Sequence, residues 1–145
     1  MSLNTTPVFI SIPKVQWTMV SASNATPSVN FNGTGVLGTD IQTVFSASVS
    51  GSRVDSITIM PLGTNVQTVL TLFVNNGADN TVSTNNASFY KVTMPSTAIS
   101  NNASLDRIEV QFPNGLNLPP IYRILVSLGT TVATGFDVTA YGGDF

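Results

Sequence analysis

The residues able to carry chemistry are few, and their types exclude most of it. Histidine and cysteine are both absent. That removes the usual general base, the thiolate nucleophile and the commonest ligands for transition metals together. A Ser–Lys pair remains formally open through Lys14 and Lys91, but no spacing marks a serine partner for either. Paired carboxylates of the kind that cleave glycosides would have to come from Asp40, Asp55, Asp106, Glu109, Asp137 and Asp144. These are scattered, and Asp106 and Asp137 fall on the solvent side or at the ends of apparent strands, where a structural role is the simpler account. Asp79 sits in turn chemistry. The stretch Asn75 to Asn86 lacks the alternating carboxylates of a calcium loop. Gly33-Thr34-Gly35 and Gly142-Gly143 are not phosphate loops, since neither opens a helix and no lysine follows. No catalytic residue, cofactor site or metal site is expected.

Binding chemistry has more to work with. Trp17, Tyr90, Tyr122 and Tyr141 could stack on a sugar ring, although aromatic residues in strands chiefly belong to cores. Tyr141 is the exception, because it lies on the strand face opposite Phe136 and Val138. Five Asn-X-Ser/Thr sequons, at Asn4, Asn24, Asn32, Asn86 and Asn102, are what chance gives in a chain so rich in these residues.

Charge narrows the partners. Charged residues make up 8% of the 145-residue chain, with a net charge of −2, against about 25% in ordinary soluble domains. Lys14, Arg53, Lys91, Arg107 and Arg123 form no basic stripe, so nucleic acid is not an expected partner. The apolar runs are too short to span a bilayer as a helix, and the N-terminus lacks the basic region of a signal peptide. Hydrophobic residues reach 42%, too many for a disordered chain. Such a surface, polar through Ser, Thr and Asn but hardly charged, suits a protein covered by other subunits.

The elements that must position these residues read as strands throughout. The stretch from Asn102 to Phe145 carries the clearest pattern. Ile108, Val110 and Phe112 share a face, as do Tyr122, Ile124, Val126 and Leu128, and then Phe136, Val138 and Ala140. Asn114-Gly115 and Pro119-Pro120 separate the first two runs. Upstream, Val8–Ile12 and Val15–Met19 form two strands or one bent at Pro13, which belongs at an edge or bulge. Ser28–Phe31 reads as a brief strand. Thr43–Val49 and Arg53–Met60 follow. Val66–Asn75 is apolar on both faces, and so is buried in the middle or covered by another subunit. Phe89–Met94 completes the set. No window has helical periodicity. The expected fold is all-β, a single antiparallel β-sandwich over residues 1–145, with jelly-roll topology first and an immunoglobulin-like sandwich second. Residues 1–7 make a polar arm that orders on a partner.

Three stretches resemble small proteins encoded among the structural genes of tailed bacteriophages and prophages. They are Gly51-Ser52-Arg53-Val54-Asp55-Ser56-Ile57 with Val69 to Gly77, Leu118 to Ser127, and Gly135 to Phe145. Together they cover about half the chain. Where that pattern has glycine before the Tyr-Arg pair, this chain has Ile121. The resemblance implies a virion structural component, made in the host cytoplasm. For a β-sandwich of this size it implies a capsid cement or decoration protein on the outer shell. Its expected partners are the major capsid protein and further copies of itself, with a homotrimer favoured. Candidate subunit contacts are Met1 and Leu3 in the arm, and Tyr141, Asp144 and Phe145 around a Gly142-Gly143 hinge. The alternative is a carbohydrate- or receptor-binding module of a phage tail or fibre, with a glycan as ligand.

Overall fold

Ile124, Val126 and Leu128 share one parity, and all three are fully buried in the computed structural model, which describes residues 10–145. The same alternation builds eight strands: β1 (Ile12–Val20), β2 (Ile41–Ser46), β3 (Ser52–Pro61), β4 (Thr68–Asn75), β5 (Asn86–Met94), β6 (Ile108–Leu118), β7 (Arg123–Leu128) and β8 (Phe136–Asp144). A short helix, α1 (Pro27–Asn32), lies between β1 and β2. All pairings between these strands are antiparallel, and β1 pairs with β8, β2 with β7, β3 with β6 and β4 with β5. The described chain is therefore one long hairpin with its tip between β4 and β5. Rolling that hairpin brings β8 beside β3 and β7 beside β4, which gives two sheets, β1-β8-β3-β6 and β2-β7-β4-β5. This is the strand order of a jelly roll, the first of the two expected topologies.

The inner faces of the two sheets form the main core, with Phe45, Ile57, Ile59, Leu70, Leu72, Phe136 and Val138 fully buried. Connections 62–67, 95–107 and 129–135 meet at one end, tied by the buried Asn65. Its Nδ2 donates to the Gly135 carbonyl (3.0 Å), while its Oδ1 accepts from the backbone N–H groups of Thr134 and Gly135 (2.9 Å each). One amide thus pairs with three loop groups, and the Gly135 carbonyl accepts a further hydrogen bond from the Leu62 N–H (3.0 Å).

Several local expectations change. Ser28–Phe31 is part of α1 rather than a strand. Pro27 presets the first helical turn, and Gly33, at φ 74°, closes it by donating its N–H to the Val29 carbonyl (3.1 Å). Asn114-Gly115 does not end a strand: it lies within β6, where the pairing with β3 shifts register between Val54 and Ser56. Val49 and Val66 are exposed beyond the ends of β2 and β4. The presumed Gly142-Gly143 hinge is continuous β8, hydrogen-bonded between β1 and β3. Glycine at 142 serves close approach, since a Cβ there would overlap the Arg53 carbonyl oxygen. Ile121 takes a left-handed backbone, φ 67°, that glycine adopts readily and a β-branched residue rarely does.

β4 is buried on both faces, and the cover is this chain's own. Leu70 and Leu72 point into the main core, while Phe73 points outward into a second cluster with Ile41, Leu125 and the half-buried Leu37. Residues 21–40 lie over that outer face. Ser127 Oγ donates to the Asn30 carbonyl (2.5 Å), and the Lys91 ammonium sits 4.8 Å from the centre of the Phe31 ring.

Candidate docking face

β1 has its polarity inverted. Alternation places Lys14, Gln16 and Thr18 on one side and Val15, Trp17 and Met19 on the other, and the apolar side faces outward. Trp17 is 70% exposed, Met19 53% and Val15 50%. The inward polar residues are not misplaced. The Lys14 ammonium donates to the Ser46 carbonyl (2.8 Å) and to Asp144 Oδ1 (3.2 Å), and it lies 5.0 Å from the centre of the Phe45 ring. Gln16 Oε1 accepts from the Ser46 N–H (2.7 Å). At Ser46 the edge strand β2 ends, and its peptide groups need polar partners from β1. Apolar side chains at 14 and 16 would remove these two hydrogen bonds.

The pairing register adds Tyr141 and Met60 to this apolar side and sets polar side chains at the other positions of the sheet. Val15 aligns with Tyr141 and Ser56, Trp17 with Thr139 and Thr58, and Met19 with Asp137 and Met60. Tyr141 and Met60 are 41% and 45% exposed. On β6, Gln111 and Glu109 end the first two rows, and Arg107 lies just beyond the strand, 3.6 Å from Glu109. The result is a face apolar along β1 and charged along β6, with an open hollow of about 300 Å³ lined by Ser56, Thr58, Arg107, Glu109 and Tyr141. Beside it, between β1 and β2, runs an open groove of about 350 Å³ lined by Val15, Gln16, Trp17, Thr43, Val44 and Ser46.

The expected contact residues are dispersed. Tyr141 is on this face. Asp144 is held within the chain by Lys14 and by Ser52 Oγ, which donates to its Oδ1 (2.5 Å). Phe145 is half-buried at the opposite end from Asn65, its N–H donating to the Gly51 carbonyl (3.2 Å). Met1 and Leu3 lie outside the described residues. Trp17, which the general behaviour of strand aromatics assigns to the core, is the most exposed aromatic of the face. Val15, Met19 and Met60 were not singled out by sequence. The alternation in β1 is legible, but nothing local says which side turns inward.

Most acids have assigned partners. Asp55 Oδ1 accepts from Arg53 Nε (2.7 Å), and Asp40 accepts from Asn24 Nδ2 (2.8 Å). The Thr81 backbone N–H, donating to Asp79 (2.9 Å), holds that carboxyl below the usual carboxylate range, aided by the Thr81 side chain and the Arg123 charge. Among the described residues, no three acids gather where they could hold a metal ion, and no helix is long and apolar enough to cross a membrane.

No protein-family model and no curated protein sequence matches this chain. Among solved structures, a chain described as "Structure of infectious bursal disease virus Gx strain" is similar to it at 9% identity and a TM-score of 0.35. That similarity covers 99% of this chain and 37% of the other, so this chain spans just over a third of its length.

Proposed function

We infer that this chain is a non-enzymatic assembly protein of a virion, a cement or decoration component that stabilises a capsid shell by bridging its subunits from outside. The observation carrying this reading is the outer face of the β1-β8-β3-β6 sheet. A soluble protein rarely leaves Trp17, Val15, Met19, Met60 and Tyr141 bare on one surface, and such patches mark sites that other proteins cover. The 8% charge content points the same way, because charged residues are depleted where interfaces are buried. The phage assignment is supported by the three resembling stretches, which lie on β3, β4, β7 and β8. The jelly roll is compatible with it, as virus capsid domains use this fold, though lectins and cupins do too.

Co-sedimentation tests the reading. Assembled phage shells lacking this component should carry the purified protein into the pellet and gain resistance to heat. Protein that stays in the supernatant at saturating shell concentrations would sink the cement role. The second reading, a glycan- or receptor-binding module of a tail or fibre, draws on Trp17 and Tyr141 sharing one exposed sheet face. It expects a glycan-array signal that Tyr141→Ala or Trp17→Ala abolishes.

A further inference from the structure

We propose that the outer face of the β1-β8-β3-β6 sheet is closed by the same face of a second copy of this chain, related by a two-fold axis that runs across the strands. This deepens the assembly reading above and rests on it, giving the open face to a second copy so that the pair is the unit that meets a shell.

The register defines the argument. Three rows cross the sheet, headed on β1 by Val15, Trp17 and Met19, and the two charged residues at the β6 side, Arg107 and Glu109, stand in adjacent rows. Two sheets packed face to face can be related by an axis along the strands or across them. An axis along the strands sets β1 of one copy over β6 of the other, burying Trp17 against Glu109. That leaves a carboxylate desolvated on an indole and an apolar strand facing polar neighbours. An axis across the strands, placed between the Trp17 and Met19 rows, sets β1 over β1 and β6 over β6. Met19 then meets the partner's Trp17, Met60 meets the partner's Thr58, Asp137 meets the partner's Thr139, and Arg107 meets the partner's Glu109. Along β1 a thioether covers an indole, Arg107 and Glu109 each face the opposite charge, and the Asp137 carboxylate faces a hydroxyl, while Met60 lies over the largely buried Thr58. The face is self-complementary only in this second arrangement, as an isologous contact requires.

Area points to a weak dimer. Four strands about 4.8 Å apart, with the two rows that flank the axis overlapped, cover on the order of 350 Å² of accessible surface per copy. A pair would bury about 700 Å² in total, in the range of weak, transient contacts. Association in the range of about 100 μM is the matching expectation, with the exposed indole as its centre.

Sedimentation of the purified full chain across a concentration series, without shells present, tests this. The wild type should pass from monomer to dimer. Trp17→Ser should weaken dimerisation by about 30- to 100-fold, with an unchanged far-UV circular dichroism spectrum. Arg107→Glu should also weaken it, and Arg107→Glu combined with Glu109→Arg should restore it, since the swap recreates the pairing across the axis. A monomer at every concentration, a trimer, or a dimer indifferent to Trp17→Ser would overturn the proposal. A monomer that still pellets with shells would remove self-pairing while leaving the cement role standing. A dimer that ignores shells would do the reverse.

Discussion

The two sheets of this sandwich treat their outer faces in opposite ways. Over β2-β7-β4-β5, the chain lays its own residues 21–40, burying Phe73, Leu125 and Ile41 beneath α1 and Leu37. Over β1-β8-β3-β6 it lays nothing among the described residues, although Trp17, Met19 and Met60 are as apolar as the side chains sealed on the other side. An apolar surface covered in cis stabilises the fold, whereas one left open stabilises only what later covers it. The difference separates residues that hold the monomer together from residues available for assembly.

That contrast can be broken most forcefully at Phe73. Phe73→Ala removes a fully buried ring from the covered face and should cost about 3–5 kcal/mol in denaturant unfolding. A loss below about 1 kcal/mol would mean that residues 21–40 do not form a second core. A smaller effect is expected at Asn80, whose Nδ2 donates to the carbonyls of Gly33 (2.9 Å) and Gly35 (2.7 Å) and so pins the covering segment. Asn80→Ala should cost about 1–3 kcal/mol and quicken amide exchange between residues 27 and 40 more than elsewhere. Uniform acceleration would refute the pinning role.

At Ile121 the expected sign is opposite. A β-branched residue at φ 67° is strained, so Ile121→Gly should stabilise the protein by about 1 kcal/mol, net of the entropy glycine loses on folding. Destabilisation would show that its contact with Gly77 outweighs the strain. Trp17→Ser sharpens the comparison directly. Although it deletes a larger ring than Phe73→Ala, the unfolding free energy of the monomer should change by no more than about 0.5 kcal/mol. The smallest effect concerns pH. The Asp79 carboxyl is held below its unfolded value, so its contribution is complete above that value and is lost as pH falls through the folded one, below about pH 4. Asp79→Asn should flatten the acid limb of a stability-versus-pH curve slightly, and an unchanged limb would remove the Thr81 contact from the account.

Much of the architecture was legible because period-two alternation is a local signal. Ile124, Val126 and Leu128 announce their burial without reference to any other strand, and so do Phe136, Val138 and Ala140. The two-faced apolarity of β4 was legible too, but its cause was not: only contacts far along the chain show that residues 21–40 supply the cover. α1 escaped notice because six residues give too short a window for helical periodicity, and its stability comes from packing and from Ser127. Of the candidate site, Tyr141 was readable from its parity against Phe136 and Val138. Asp144 was not readable as an internal anchor, because Lys14 and Ser52 reach it from distant strands.

By itself, the sequence determined that this protein is an all-β sandwich, poor in charge and without histidine or cysteine chemistry, because those properties follow from residue types and their spacing. Tertiary structure alone decided which side of β1 is inside. Alternation fixes two faces but assigns neither to the core. In the folded chain the inward Lys14 and Gln16 pair with the peptide groups of Ser46, where β2 ends, and Trp17 is left exposed.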